Sequence, residues 1–262
     1  MADLENKVVL ITGGASGIGL AAAEMVRDEG GLAVLTGRNE EKGAKAVAQV
    51  GADRAMFVPH DVCSQEDWRR VVAVVLEQHG RIDGLVNNAG LQTFSPVQSE
   101  PLEHFNEVIA TNLTGPFLGM QAVIPVMREQ GSGSIVNISS AGGLVALPTT
   151  GSYAASKWGL RGLTKVAALE LAHRGVRVNS VHPGMTYTPM TAESAHLVEG
   201  PGNYPGCAMQ RVGGAEEIAG AIVYLLSDKA SYTTGAEIAV DGGWTAGILP
   251  KVLLGDFADQ ML

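Results

Sequence analysis

Apolar and polar residues follow two alternating patterns along this chain. Short apolar runs rich in Val, Ile and Leu are typical of strands that are buried on both faces of a parallel sheet. The longer segments between these runs repeat their apolar residues with the period of a helix that packs one face against a sheet. The predicted strands are Lys7 to Thr12, Leu32 to Thr36, Ala55 to Val58, the run around Leu85 and Val86, Ser134 to Ser139, Arg177 to Val181 and Glu237 to Val240.

Helical segments separate the predicted strands. In one of them Trp68, Val71 and Val75 form an apolar stripe, and Ser64 precedes the stripe as a helix N-cap. The alternation predicts an α/β fold, a doubly wound parallel sheet of the Rossmann-like type with helices on both faces. The predicted helices run from a glycine-rich turn to about Asp28, from Glu40 to Val50, onward from Ser64, from Leu102 to Glu129, from Tyr153 to about His173 and from Glu216 to Leu226.

A single domain accounts for the whole length. The 262 residues can bury a large core, and no repeat or linker divides them. We interpret 1–262 as one domain, with 185–214 as an elaboration over its functional site and 244–262 as a C-terminal tail.

One residue of the longest predicted helix needs an explanation. Asn112 lies between Leu102 and Glu129, in a stretch that also contains Pro116 and Pro125. An Asn in a helix interior competes with backbone hydrogen bonding. We therefore expect a kinked helix that aims a carbonyl or amide group at a functional site.

Composition and charge favour a compact protein that binds small molecules. The chain is 46% apolar and 17% charged, has a formal net charge of −9 and contains no long basic run, which argues against a nucleic-acid partner. It has neither a signal-peptide start nor a run of about 18 apolar residues, so we expect a cytoplasmic protein with no membrane partner. Cys63 and Cys207 lack the CxxC or His-rich surroundings of a metal site, so no metal is predicted.

The first predicted strand runs into a glycine-rich turn and then into an alanine-rich helix. Glycines such as Gly13, Gly17 and Gly19 let the backbone approach a pyrophosphate closely. The N-terminus of the following helix offers free N–H groups and a partial positive charge. This order of strand, glycine turn and helix predicts a dinucleotide site, and so a dinucleotide-binding domain.

The end of the second strand bears on which dinucleotide binds. In such folds an acid there would bond the adenosine ribose, whereas an Arg would suit a 2′-phosphate. Gly37 stands in the position of the acid and Arg38 follows it, so NADP(H) is the preferred cofactor and NAD(H) a possible one. Asp61, at the end of the third strand, could accept a hydrogen bond from the adenine amino group or could cap the next turn.

Tyr153 and Lys157 are the candidate proton-handling pair. They are four residues apart on a predicted helix, so their side chains share one face. An ammonium close to a phenol favours the phenolate, and we expect it to lower the tyrosine pKa by roughly 1 to 3 units. A tyrosine tuned in this way can act as a general acid or base.

Together the motifs resemble those of the short-chain dehydrogenase/reductase family over nearly the whole chain. The similar motifs are TGxxxGxG at Thr12 to Gly19, NNAG at Asn87 to Gly90, Asn112 at the family's catalytic Asn, Ser140 thirteen residues before Tyr153 of YxxxK, and Pro183-Gly184 followed by Thr188. The resemblance implies a catalytic tetrad of Asn112, Ser140, Tyr153 and Lys157. In it Tyr153 moves a proton, Ser140 holds the substrate oxygen, Lys157 lowers the phenol pKa and binds ribose, and Asn112 helps to fix a relay water.

The same resemblance implies a set of cofactor-binding residues. Ser16 departs from many NADP(H)-preferring members, which carry a basic residue just before the second glycine of the motif. The implied residues are Gly13, Ser16, Gly17, Ile18, Gly19, Arg38, Asp61, Val62, Asn88, Tyr153, Lys157, Pro183, Gly184, Thr186 and Thr188.

The segment 185–210 holds acidic and many apolar residues but no Lys or Arg, so nothing there obviously clamps a carboxylate or phosphate. We expect a hydrophobic secondary alcohol or ketone, alicyclic or steroid-like, as the substrate, as in the similar bacterial hydroxysteroid dehydrogenases. The alternatives are a 3-oxoacyl-carrier-protein reductase, which shares the tetrad, and a non-catalytic dinucleotide sensor. The apolar tail beyond Gly243 predicts an interface, and we expect a homotetramer, as in much of the family.

Overall fold

Seven strands form one parallel sheet in this computed structural model, which describes residues 3–195, 200–201, 204 and 206–248. In all, the described residues contain nine strands. They are β1 Val8–Thr12, β2 Leu32–Gly37, β3 Ala55–Pro59, β4 Gly84–Asn87, β5 Gly133–Ile138, β6 Val176–Pro183, β7 Gly200–Pro201, β8 Arg211–Val212 and β9 Glu237–Val240. Their order in the sheet is β3-β2-β1-β4-β5-β6-β9, and β7 and β8 form a separate antiparallel pair. The predicted doubly wound fold is thereby confirmed.

Eight α-helices lie among the described residues and cover both faces of the sheet. They are α1 Gly17–Asp28, α2 Glu40–Val50, α3 Gln65–His79, α4 Leu102–Ile109, α5 Gly115–Gln130, α6 Gly151–Leu171, α7 Pro189–Ala195 and α8 Ala215–Leu226. α1 and α8 pack against one another on one face, while α3, α5 and α6 contribute to the core on the other.

Alternate residues of β1 serve the two cores. Val9 and Ile11 pack with α1 and α8, whereas Val8 and Leu10 pack with α3 and α5. Each of these four side chains is at most 5% exposed. Because successive strand residues point to opposite faces, a strand covered by helices on both sides must be apolar throughout. This is the physical reason for the continuous apolar runs in the sequence.

The long helix predicted between Leu102 and Glu129 is interrupted. A π-helical turn, Ala110–Thr114, separates α4 from α5, and within it the Gly115 N–H reaches the Ala110 carbonyl, five residues back. Single π turns inside α-helices frequently occur at functional sites. The turn contains Asn112, so the expected interruption of the helix is found at the residue that called for it.

Two further elements differ from the sequence prediction. α6 begins at Gly151, two residues before Tyr153, because Glu100 supplies a cap that the local sequence does not. α7 lies in 189–195, where the sequence predicted irregular chain, since its few residues are too short for a clear apolar period. Most of the apolar tail predicted beyond Gly243 lies outside the described residues. Among those described, no helix has the length and apolar character needed to cross a membrane.

Candidate active site

A cavity of about 390 Å³ opens at the carboxyl ends of the central strands. β1 and β4 are neighbours in the sheet although the chain visits β2 and β3 between them. At such a switch point the connections leave toward opposite edges and a crevice remains, which is where open α/β sheets bind ligands. The glycine turn after β1 and the segments after β4, β5 and β6 all line this one space.

The turn after β1 is shaped for close approach of a ligand. Gly13 and Gly17 adopt φ values of 62° and 53°, in the left-handed region that favours glycine. A Cβ atom on Gly19 would lie 2.4 Å from the Gly13 carbonyl oxygen, so this position excludes any side chain. Ser16, the N-cap of α1, makes no capping bond through its side chain. The N–H groups of the first helical turn are therefore presented to an anion.

Asn88 locks the glycine turn to the loop after β4. Its amide nitrogen donates to the Thr12 carbonyl at 2.9 Å and to the Gly13 carbonyl at 3.2 Å. In return, the Thr12 hydroxyl oxygen accepts the backbone N–H groups of Asn88 and Ala89, both at 3.0 Å. The two motifs that were separate in the sequence thus form one rigid floor.

The Tyr153 phenol and the Ser140 hydroxyl both line the cavity. Burial raises the pKa of the Tyr153 phenol, and the neighbouring Ser140 hydroxyl opposes that rise. The Ser140 oxygen also accepts the Gly142 N–H at 3.0 Å, which fixes the direction of its own hydroxyl. The pair can therefore hold one substrate oxygen between two hydroxyl groups.

Lys157 lies behind Tyr153. Its ammonium is 5.5 Å from the centre of the Tyr153 ring and donates to the Ile138 carbonyl at 2.8 Å. Burial lowers the pKa of Lys157 to about 8. The expected lowering of the Tyr153 pKa by this ammonium is wrong for this structure, because burial dominates the phenol and the ammonium is bonded to a carbonyl.

The Asn112 side chain is buried and does not line the cavity. Its oxygen accepts the Leu91 N–H, and its nitrogen donates to the Leu91 carbonyl and, at 3.2 Å, to the Ser156 hydroxyl. A Cβ atom on Gly90 would lie 3.3 Å from the Asn112 oxygen and 3.8 Å from the Lys157 ammonium, so these groups are close neighbours. With the amide engaged, the main-chain carbonyl is the group through which Asn112 could serve the site.

The residues predicted for the adenosine end lie apart from the cavity. Arg38 is exposed at the end of β2, and Asp61 is exposed after β3. One carboxylate oxygen of Asp61 accepts the Cys63 N–H at 2.9 Å, which is the capping role considered for it from sequence. The Val62 carbonyl accepts the Trp68 indole N–H at 2.9 Å, which ties this turn to α3.

Most of the predicted site residues meet in the cavity. Gly19, Arg38, Asp61, Val62 and Asn112 do not line it, although Gly19 shapes its floor. Those that do are Gly13, Ser16, Gly17, Ile18, Asn88, Ser140, Tyr153, Lys157, Pro183, Gly184, Thr186 and Thr188. Among the described residues, no cluster of three or more His, Cys, Asp or Glu side chains could hold a metal ion.

The wall opposite Tyr153 is apolar and aromatic. It includes Phe94, Leu147, Met185 and Tyr204, and among the described lining residues Lys157 is the one ionisable group besides tyrosines. Trp244 also lines the cavity and meets Tyr204 edge to face, with ring centres 5.2 Å apart. From sequence, Trp244 was expected in the C-terminal tail, and its place in the cavity wall was not predicted. The one feature of the sequence that could have indicated this place is its position directly after two glycines.

Glu100 is a second residue that sequence analysis missed. Its carboxylate accepts the Ser152 hydroxyl and, at 3.3 Å, the Ser152 N–H at the start of α6. The Thr93 hydroxyl donates to the same carboxylate at 3.4 Å. Glu100 thus caps the helix that carries Tyr153 and ties it to the loop that carries Phe94. No local motif marks a cap that comes from 52 residues away.

The chain is similar to known dehydrogenases along nearly its whole length. A family model described as enoyl-(acyl carrier protein) reductase, from the short-chain dehydrogenases, matches residues 13–245. The chain is 42% identical over 251 residues to a trans-4-hydroxycyclohexanecarboxylate dehydrogenase of Sinomonas cyclohexanicum, covering 92% of this chain and 94% of the relative. It is 41% identical over 254 residues to a cyclopentanol dehydrogenase of Comamonas testosteroni, covering 94% and 100%.

A steroid enzyme is similarly related. The 3-alpha-(or 20-beta)-hydroxysteroid dehydrogenase of Mycobacterium tuberculosis is 41% identical over 245 residues, which covers 94% of this chain and 92% of the relative. All three relatives are named as dehydrogenases of cyclic alcohols, and each aligns along almost its full length.

Proposed function

The chain belongs to the short-chain dehydrogenase/reductase family, and from this premise we propose how its site works. It is a nicotinamide-dependent oxidoreductase that transfers a hydride between the cofactor and a hydrophobic cyclic secondary alcohol or its ketone. The neighbouring hydroxyls of Ser140 and Tyr153, which both line this largely apolar cavity, carry the assignment. Two hydroxyls converge there on the place where a substrate oxygen must lie.

The glycine turn and α1 suit the pyrophosphate of a dinucleotide. Gly13 and Gly17 keep side chains out of the approach, and the N-terminus of α1 offers N–H donors to the phosphates. Thr188 stands beside Gly17, at 3.2 Å from where a Cβ atom would be, so the loop after β6 reaches the same space. When bound, the nicotinamide supplies or accepts the hydride.

Each tetrad residue has a separate task in this proposal. Ser140 donates a hydrogen bond to the substrate oxygen, and Tyr153 takes the alcohol proton in oxidation or returns one in reduction. Lys157, fixed by the Ile138 carbonyl, presents its ammonium next to the phenol and to the cofactor ribose. Asn112 holds the loop after β4 through Leu91 and leaves its main-chain carbonyl for a water that relays protons to Lys157.

The cavity wall and the relatives support an alicyclic or steroid-like substrate. Phe94, Leu147 and Trp244 offer apolar surface to a ring, and Lys157 is the one cation among the described lining residues. The named relatives are dehydrogenases of a hydroxycyclohexanecarboxylate, of cyclopentanol and of hydroxysteroids. When the apolar face of a substrate ring packs against these side chains, the reacting oxygen of the substrate points toward Tyr153.

NADP(H) is the preferred cofactor in our proposal, with NAD(H) as the alternative. Arg38 follows β2, and its side chain is exposed. The position at the end of β2, where an acid would repel a 2′-phosphate, is occupied by Gly37. Among the residues that the structure describes, Arg38 forms no salt bridge, so a phosphate could bind its guanidinium without displacing one.

A carrier-protein substrate is less well supported. A carrier protein would need a basic surface near the cavity entrance, and two arginines that could supply one, Arg128 and Arg174, lie just before β5 and β6 begin. The cavity lies where those strands end, and β5 has six residues, which at about 3.3 Å each separates the two edges by roughly 20 Å. A non-catalytic dinucleotide sensor is also disfavoured, because it would not need Ser140 and Tyr153 to converge.

We also propose a homotetramer, as expected from sequence. Large apolar side chains stand exposed on α4, α5 and α6, and a second copy could cover them. They are Leu102, Phe105, Phe117, Val166 and Leu169. The predicted tail contribution lies outside the described residues beyond Ile248, and a cytoplasmic location remains our prediction from the sequence. Light scattering at micromolar concentration tests the assembly, and a stable monomer would contradict it.

A turnover screen tests the function. Wild-type protein is assayed with NAD⁺ and NADP⁺ against cyclopentanol, cyclohexanol, a hydroxysteroid and, in reverse, acetoacetyl thioesters. We expect the cyclic alcohols to exceed the thioesters in kcat/KM by at least about tenfold, which corresponds to about 1.4 kcal/mol of transition-state binding. Faster reduction of the thioesters would favour the carrier-protein alternative instead.

A further inference from the structure

The loop that follows Ser140 is held by side chains that the tetrad does not include. Residues 141–143 form a single 3-10 turn between β5 and α6. The carbonyl of Ser140 accepts the His182 ring N–H at 3.0 Å and the Gly143 N–H at 2.8 Å. The carbonyl of Ala141 is bonded by backbone N–H groups of the same loop. The next two carbonyls, of Gly142 and Gly143, are the ones reached from α6.

Trp158 and Arg161 supply the donors for those two carbonyls. The Trp158 indole N–H donates to the Gly142 oxygen at 3.1 Å, and the Arg161 guanidinium donates to the Gly143 oxygen at 2.6 Å. The guanidinium also stacks on the Trp158 ring, 4.6 Å from its centre. The two side chains lie three residues apart on one face of α6 and therefore act as one unit.

Glu237 anchors this unit from β9. Its carboxylate accepts two hydrogen bonds from Arg161, at 2.5 and 3.2 Å, and lies 3.3 Å from the Lys165 ammonium. The Arg161 and Glu237 side chains are about four-fifths buried, at 20% and 21% exposure. A bidentate pair in that setting fixes the guanidinium plane. The third nitrogen, Nη1, is thereby directed at the Gly143 carbonyl.

The held loop bears directly on Ser140. Gly142 is the residue whose N–H bonds the Ser140 hydroxyl oxygen, and its carbonyl is the one that Trp158 holds. A Cβ atom on Gly143 would lie 3.3 Å from the Lys157 carbonyl, so the loop rests on the backbone of α6 itself. The separation of Ser140 from Tyr153 thus depends on how this loop is attached to the helix.

We infer that Arg161 and Trp158 are positioning residues that clamp the Ser140 loop to the Tyr153 helix, with Glu237 as their anchor. The inference rests on the proposed function, in which Ser140 and Tyr153 bind one substrate oxygen. If Ser140 moves away from the phenol, it loses both its hydrogen bond to the substrate oxygen and its effect on the Tyr153 pKa. Errors of about 1 Å in such placement can cost about a hundredfold in rate.

Arg161→Met and Lys165→Met form a matched pair that separates positioning from general stability. Both remove a cation that pairs with Glu237, but only Arg161 touches the loop. We expect Arg161→Met to lower kcat for a cyclic alcohol by about tenfold to a hundredfold with cofactor KM within about twofold. Lys165→Met should stay within about twofold of wild type in both quantities. Trp158→Phe, which keeps the ring and loses the donor, should lower kcat by a smaller factor in the same direction.

A pH profile adds a signal that a merely stabilising role would not produce. The Ser140 hydroxyl beside the phenol lowers the pKa of Tyr153, so that pKa rises when Ser140 moves away. Alcohol oxidation needs the phenolate, and its rising limb should therefore move to higher pH in Arg161→Met and Trp158→Phe but not in Lys165→Met. Equal rates and equal profiles in Arg161→Met and Lys165→Met would overturn the inference. If Arg161→Met does not fold, a wild-type rate and profile in Trp158→Phe would do so. A wild-type protein inactive on every cyclic alcohol would instead overturn the proposed function, and this inference with it.

Discussion

Asn112 and Leu91 exchange two hydrogen bonds, each 2.8 Å long, between one side-chain amide and one backbone residue. The Asn112 amide bonds both the N–H and the carbonyl of Leu91, as the backbone of a neighbouring strand would do in a sheet. Through this exchange the π-helical turn holds the loop that leaves β4 beside the cavity.

Replacement of Asn112 by Leu should therefore destabilise the protein. It leaves two backbone groups of Leu91 without their partners, and each such loss costs about 1 to 3 kcal/mol. We expect the free energy of unfolding in urea to fall by at least about 2 kcal/mol. Asn106→Ala, at an exposed Asn six residues earlier on α4, is the control and should change stability by less than about 0.5 kcal/mol. Equal effects of the two substitutions would contradict the exchange.

Tyr153→Phe should abolish most turnover while cofactor binding survives. Loss of a general acid or base typically lowers rates by about a hundredfold to ten-thousandfold. The fluorescence titration with reduced cofactor should change by no more than about threefold, since only a hydroxyl is removed. Tyr232→Phe, at a fully exposed tyrosine, serves as the control and should behave as wild type. Turnover near the wild-type value in Tyr153→Phe would rule out the proposed proton transfer.

Lys157 should make stability depend on pH in a defined direction. Burial holds its pKa at about 8 in the folded protein, below the ordinary 10.5. Between those values the unfolded chain binds the additional proton, so stability contributed by this group rises with pH. The penalty is fully present below pH 8, and its relief up to pH 10.5 amounts to about 3 kcal/mol.

The measurement is the difference in unfolding free energy between wild type and Lys157→Met. That difference should stay constant from about pH 5 to 7 and then shift in favour of wild type by about 2 kcal/mol between pH 8 and 9.5. The window stops below the titration of Tyr153, whose own pKa is raised. A difference that is flat over the whole range would show that the lysine is not held in a low-dielectric site.

Glu100→Ala should loosen the start of the catalytic helix. It removes the acceptor for the Ser152 hydroxyl and N–H and for the Thr93 hydroxyl. By analogy with lost N-caps we expect a stability loss of about 1 to 2 kcal/mol, together with a higher KM for the alcohol because Phe94 lies on the released loop. Glu103→Ala, an exposed acid in the first turn of α4, is the control for charge. Identical melting temperatures for the two variants would argue against the cap.

Arg38→Met should separate the two cofactors. If Arg38 meets a 2′-phosphate, its loss raises KM for NADP⁺ by about tenfold and leaves NAD⁺ unchanged, whereas Lys42→Met, another exposed cation nearby, does neither. Gly37→Asp makes the complementary change. A Cβ atom at Gly37 would come no closer than 3.8 Å to Phe57, so the acid fits and should favour NAD⁺. Unchanged cofactor ratios in both variants would contradict the NADP(H) preference.

Much of this fold was predictable because the central strands β1 and β2 are buried on both sides and are almost continuously apolar. The Tyr153 and Lys157 pair was predictable from its helical spacing, and the glycine turn from its place between strand and helix. What the sequence could not supply were contacts between distant segments. The cap from Glu100 and the anchor from Glu237 depend on which loops the sheet brings together, and the pKa of Tyr153 depends on burial that no spacing reveals.

Glu237 follows Arg161 by 76 residues in the chain and lies on the edge strand β9. As a ribosome releases the chain from its N-terminus, the glycine turn, the Ser140 loop and α6 all emerge before this anchor exists. A nascent chain can therefore assemble the dinucleotide half of the sheet while β6 still has an open edge. The active site is completed last, when β9 pairs with the edge strand β6. Translation that stops before Glu237 would therefore yield a protein with a nearly complete sheet but without the anchor that holds the Ser140 loop.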